Sequence, residues 1–104
     1  MEVFVKVAKT SEIKLNGSVS IRTDNQFIAV GNNNGKYFAV SDICPHAGAP
    51  LGGGWIEDDC IVCPFHCWKF NVNTGECPHI EGEFLKVFEI KIEDEDIYVK
   101  IPKS

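Results

Sequence analysis

Val3, Val5 and Val7 alternate with Phe4 and Lys6, the period of two expected of a strand with one buried face. Residues 18–23 read as a second strand after the turn pair Asn16-Gly17. The stretch QFIAVGNNNGKYFAV reads as a hairpin, with strands near 26–30 and 36–40. Its turn, Gly31 to Gly35, holds Gly and Asn, the residues that tolerate positive φ. Near the C-terminus Phe88, Ile90 and Ile92 face one way and Glu89, Lys91 and Glu93 the other. Glu93-Asp94-Glu95-Asp96 then makes a turn, and Ile97, Val99 and Ile101 alternate with Tyr98 and Lys100. No segment shows a helical period. Short strands at regular intervals predict an all-β, antiparallel sandwich or barrel. Between the two hairpins, Cys44 to about Gly82 breaks the pattern. It is rich in Gly, Pro, Cys and His and reads as loops inserted into a β scaffold.

At 104 residues, 44% of them hydrophobic, the chain fits one globular domain. Fifteen acids against ten bases give a net charge of −5. Nucleic acid is not an expected partner, because binding it needs a basic stripe. A partner with a positive face is favoured, since complementary fields speed encounter. MEVFVKVAKTSEI lacks the basic and apolar regions of a signal peptide, and no apolar run approaches a membrane span. The five cysteines are odd in number and irregularly spaced, which argues against a disulfide framework. A cytoplasmic location without membrane attachment is therefore expected. In that reducing setting clustered cysteines bind metal or do redox work.

Two short boxes stand out, Cys44-Pro45-His46 and Cys63-Pro64-Phe65-His66, with sixteen residues between His46 and Cys63. Each offers one thiolate and one imidazole. A strand at 60–63 could carry the chain into the second box, and Gly52-Gly53-Gly54 could turn it between the boxes. Two Cys and two His satisfy tetrahedral zinc, and iron–sulfur clusters use the same ligand types. Ligand types alone leave both open.

The flanking residues extend the pattern: Pro50-Leu51-x-Gly53, Trp68-x-Phe70, Thr74-Gly75 and the ending LKVFEIKIEDEDIYV. Together with Cys-x-His, sixteen residues, Cys-x-x-His, they resemble a Rieske 2Fe–2S ferredoxin over nearly the whole chain. The resemblance implies that Cys44 and Cys63 hold one iron and His46 and His66 the other. It implies three small antiparallel sheets, with the cluster carried on two loops within about residues 43–82 of a single domain spanning 1–104. The function implied is that of a soluble, monomeric one-electron carrier. It would take electrons from a flavin-dependent reductase and pass them to a terminal oxygenase or similar oxidoreductase. Such a chain is a component of an enzyme system and not itself a catalyst, since 104 residues leave no room for a mononuclear-iron domain. Cys67 stands where many members have Gly, and Pro78 is alone where some relatives carry a proline run. Two other readings are a zinc-stabilised interaction module and a small electron-transfer or regulatory subunit of a reductase complex.

Outside the four ligands, Cys60, Cys67 and Cys77 read as non-ligands, with Cys60 packing as a small buried apolar residue. His79 reads as a surface loop residue, Trp55, Trp68 and Phe70 as core, and the acidic runs 57–59 and 93–96 as solvated turns. Two neutral imidazoles in place of two thiolates remove negative charge and make reduction easier. By the resemblance, high-potential respiratory members carry an extra, disulfide-forming cysteine in each box, where this chain has Ala49 and Phe65. They also place Ser and Tyr hydroxyls near sulfur, where this chain has Trp68 and Phe70. A potential near the bottom of the Rieske range, roughly −150 to +300 mV, is expected.

Overall fold

A computed structural model describes residues 2–23, 26–43, 50–63, 68–78, 82 and 84–102. Cys44, His46, Ala49, Phe65, His66, Cys67 and His79 lie outside the described residues. The described chain forms three antiparallel sheets. The first contains β1 (Glu2–Lys9), β9 (Ile90–Glu93) and β10 (Asp96–Pro102), in the order β1-β10-β9. The second contains β2 (Ser18–Arg22), β3 (Phe27–Asn33), β4 (Lys36–Ser41) and β8 (Val87–Phe88), in that order. The third contains β5 (Trp55–Glu57), β6 (Cys60–Val62) and β7 (Lys69–Asn71). Two single 3₁₀ turns, Thr10–Glu12 and Leu51–Gly53, are the helical structure among the described residues, in keeping with the missing helical period.

The second sheet is the middle layer. Ile28, Val30, Ala39 and Phe88 pack in one cluster with Ala8, Ile97, Val99 and Ile101 of the first sheet. Ala29, Phe38 and Val40 pack in another with Ile56, Ile61 and Phe70 of the third. Covered on both faces, β3 and β4 carry unbroken apolar runs, FIAV and FAV. Strand β10, the middle strand of the first sheet, has one buried face and alternates strictly from Asp96 to Pro102. The alternation read in the first strand is interrupted by a register shift between Lys6 and Ala8 against β10. Such a bulge re-aims side chains, and Ala8 becomes the buried residue of β1.

Four expectations need correction. The β3–β4 turn is tighter than Gly31 to Gly35: Asn32 pairs with Tyr37 and Asn33 with Lys36, leaving Asn34 (φ 53°) and Gly35 (φ 98°) as the two turn residues. Asn32 and Asn33 stay in the strand because their side chains are satisfied there. Asn32 Oδ1 accepts from Gly35 N–H at 2.6 Å and Asn33 Nδ2 donates to Asp59 Oδ1 at 2.8 Å. The region from 44 to 82 is more than loops, since the whole third sheet lies inside it. The alternating run 88–93 is not one strand: Val87–Phe88 pairs with β4 and Ile90–Glu93 with β10, so the chain changes sheets at Glu89. Trp55 is not a core residue; it is 42% exposed and donates Nε1–H to Glu57 Oε2 at 3.1 Å.

The layering predicts unequal costs along the last hairpin. Ile97 is fully buried and Ile92 is 42% exposed. Ile97→Ala should lower stability by about 2–5 kcal/mol, and Ile92→Ala by no more than about 0.5 kcal/mol. Urea unfolding of the two variants, followed by far-UV circular dichroism, checks this; equal losses would contradict the assignment of faces.

Candidate metal centre

Both boxes occupy loops whose necks are closed by backbone pairing. The first leaves the second sheet at Ser41 and returns through an isolated antiparallel bridge between Ile43 and Pro50. The neck is braced again just outside the bridge, where Leu51 N–H donates to Asp42 O at 2.7 Å. The second box follows β6 directly. Cys63 N–H donates to Trp68 O at 2.8 Å, so the chain doubles back into β7 within a short loop. Strand β6 carries the chain into the second box, as expected, and the glycine segment turns it between the boxes as a 3₁₀ turn.

The two necks open from one core. Leu51, at the exit of the first loop, and Cys63, at the mouth of the second, are both fully buried in the cluster that also holds Phe70, Val72 and Cys77. Packing here leaves no spare volume: a Cβ at Gly52 would sit 2.6 Å from Ser20 N and collide with its Oγ. Trp68 is partly buried against the same cluster, its ring centroid 6.5 Å from that of Phe70. Behind the second neck, Gly75 (φ 83°) brings the 71–76 turn against Leu85, whose N–H donates to Gly75 O at 2.7 Å. A side chain at Gly75 would strike Leu85 O, so this contact requires glycine.

Of the four predicted ligands, Cys63 is the one among the described residues, and it is a buried thiol at a loop mouth. Cys44 and His46 lie between the closed ends of the first loop, and His66 within the second. The residues present fit an iron–sulfur group. A soft sulfur donor, Cys63, is buried in the apolar cluster that the necks of both loops share, and each loop carries one Cys and one His in sequence.

Cys60 is buried, as read from the sequence, and so is Cys77. Cys60 lies beside a recess of about 470 Å³ on the third sheet, lined also by Lys69, Asn71, Thr74 and Glu76. Burial pushes the Cys60 thiol up, against a smaller opposing pull from the Lys69 ammonium. A thiol so raised is a poor nucleophile at neutral pH. Lys69 Nζ lies 2.7 Å from Glu57 Oε1, and that hydrogen bond holds the Glu57 carboxyl below the usual carboxylate range, with Trp55 Nε1–H adding to it. The pair is exposed and contributes little to stability. The acidic run 57–59 is otherwise a solvated turn, with Asp58 and Asp59 both at positive φ.

Asp42 was missed in the sequence. It is 4% exposed, and its Oδ1 accepts from Gly52 N–H and Ser20 Oγ. The signal was present as an acid at the end of the apolar strand FAVSD, two residues before Cys44.

The described chain is thus a three-sheet β frame with the necks of two loops opening from one core. The model of the Rieske [2Fe-2S] domain matches residues 3–89, and the chain belongs to that family. Over 103 residues it is 32% identical to the biphenyl dioxygenase ferredoxin subunit of Pseudomonas sp. (strain KKS102), covering 97% of this chain and 94% of that one. Among solved structures it is similar to a chain in the complex of reduced oxygenase and oxidized ferredoxin of carbazole 1,9a-dioxygenase. There the identity is 29% and the TM-score 0.84, over 93% of this chain and 92% of the other. The Sphingomonas yanoikuyae B1 ferredoxin has the same fold, with a TM-score of 0.86 at 24% identity over 96% of this chain and all of that one. Among the described residues no helix is long and apolar enough to cross a membrane.

Proposed function

We propose that this chain is the ferredoxin component of a multicomponent oxygenase system, a single Rieske domain over residues 1–104 working in the cytoplasm. It takes electrons from a flavin-dependent reductase and delivers them to a terminal oxygenase. The observation that carries this reading is the pair of closed loops emerging from one core, with Cys63 buried at the mouth of the second. The end-to-end similarity to a dioxygenase ferredoxin subunit supports it, as does the likeness to a chain from an oxygenase–ferredoxin complex.

In this reading Cys44 and Cys63 hold one iron of a 2Fe–2S cluster and His46 and His66 the other. The bound cluster supplies a one-electron couple whose potential lies above that of all-cysteine ferredoxins. The chain's own residues do the rest. The loop necks fix how far apart the two Cys–His pairs stand. Leu51, Phe70 and Val72 exclude water from the Cys63 side. Backbone N–H groups of the Gly- and Pro-rich loops are the donors available to sulfur. Phe70 is buried and has no hydroxyl, and Trp68 packs on the core, so side-chain O–H donors that would stabilise a reduced cluster are missing at both positions. A partner is expected at the loop tips, where the electron's path is shortest.

Purified protein should contain about two irons and two acid-labile sulfides per chain. Cys44→Ser and Cys63→Ser should abolish or badly destabilise the cluster, while Cys60→Ser, Cys67→Ser and Cys77→Ser leave the visible spectrum nearly intact. One zinc and no sulfide would support the zinc-module reading instead, and bleaching by a change at Cys60, Cys67 or Cys77 would overturn the ligand set.

The missing hydroxyl donors predict a midpoint potential near the lower end of the span of roughly −150 to +300 mV. Protein-film voltammetry at neutral pH measures it directly. A value above about +100 mV, well up that span, would show that other donors replace the absent hydroxyls.

A further inference from the structure

Asp42 closes β4 two residues before Cys44, and it is buried. Its N–H, its backbone O and its Oδ1 bind three parts of the frame: β3, the Leu51–Gly53 turn and β2. Its N–H donates to Phe27 O at 3.0 Å, at the start of β3. Its backbone O accepts from Leu51 N–H at 2.7 Å. Its Oδ1 accepts from Gly52 N–H at 2.7 Å and from Ser20 Oγ at 3.1 Å. The Gly52 peptide is gripped from its other side as well, because Gly52 O accepts from Ser18 Oγ at 3.2 Å. One carboxylate thus joins the limb of the first loop that enters from β4, the limb that leaves through Leu51–Gly53, and the edge strand β2.

Burying a carboxylate is costly unless it is hydrogen-bonded. An apolar residue at the end of β4 would close the strand without that cost, yet it could not bind Gly52 N–H. The bridge between Ile43 and Pro50 sets the pairing of the two limbs. The Asp42 side chain sets where the returning limb sits on the sheet. We propose that Asp42 is the positioning residue of the first ligand loop: through Gly52 and Ser20 its carboxylate fixes the returning limb, and so holds Cys44 and His46 against Cys63 and His66. The inference rests on the ligand reading above.

The test compares Asp42→Ala, Asp42→Asn and Ser20→Ala in the cluster-loaded protein. Two readouts are used: the rate of iron release to a strong chelator, and amide hydrogen exchange at Leu51, Gly52 and, as a reference in the first sheet, Val99. Asp42→Ala should accelerate both iron release and exchange at 51–52 about tenfold or more, the scale of one lost hydrogen bond to a charged group. Val99 exchange should remain at the wild-type rate. Asp42→Asn keeps an acceptor at Oδ1 and should restore both rates to near wild type. Ser20→Ala, which removes one donor and leaves Asp42 in place, should give a smaller acceleration of the same two rates, and it keeps the test decisive if Asp42→Ala does not fold. The proposal is overturned if Asp42→Ala releases iron like wild type. It is overturned equally if Asp42→Asn is as fast as Asp42→Ala, if Ser20→Ala changes neither rate, or if Val99 exchange rises in step with Gly52. Absence of iron and sulfide from the wild-type protein would instead defeat the ligand reading itself.

Discussion

Two backbone closures, the Ile43–Pro50 bridge and the Cys63 N–H bond to Trp68 O, determine what this molecule can hold. Loops rich in Gly and Pro have little preference for one shape, and ordering them costs conformational entropy. Here the ordering is done at the necks, by strands that are themselves locked into sheets. Each box begins at the end of a strand, β4 for the first and β6 for the second. Leu51 and Cys63 share one apolar cluster, which ties the two necks to each other as well as to their own sheets.

The layering around that cluster follows from the same requirement. The middle sheet is covered on both faces, by the first sheet through Ile97, Val99 and Ile101 and by the third through Ile61 and Phe70. The Asn33–Asp59 hydrogen bond joins the far end of the β3–β4 hairpin to the β5–β6 turn, so the third sheet is fastened to the middle one by polar as well as apolar contacts. The aromatic pair Trp68 and Phe70 packs within the same cluster.

How much could be read in the sequence depended on how many faces each element buries. The final hairpin was legible because β10 has one wet face, and its alternation survives from Asp96 to Pro102. The third sheet was not legible from the pattern. Its strands are three residues long, too short to show a period; a strand at 60–63 was read from the residues, and the sheet itself only from the family resemblance. Asn32 and Asn33 were read as turn residues because Asn tolerates positive φ, yet side-chain hydrogen bonds keep them in the strand. The run 88–93 looked continuous because periodicity does not record a change of sheet at Glu89. Trp55 was placed in the core on size alone, although its indole N–H finds Glu57 at the surface. For the metal centre, the two boxes and their flanks carried the assignment. The structure adds the closed necks, the burial of Cys63 and the part played by Asp42, a residue that no ligand motif would select.

In the proposed assignment the two loops deliver one cysteine and one histidine each to a shared pair of irons. Pulsed electron paramagnetic resonance of the dithionite-reduced protein reads this directly, because nitrogen bound to the reducible iron couples strongly to the unpaired electron. Two strongly coupled imidazole nitrogens are predicted, with one lost in each of His46→Cys and His66→Cys. A reduced spectrum with no coupled nitrogen, or no paramagnetic signal from iron-replete protein, would contradict it.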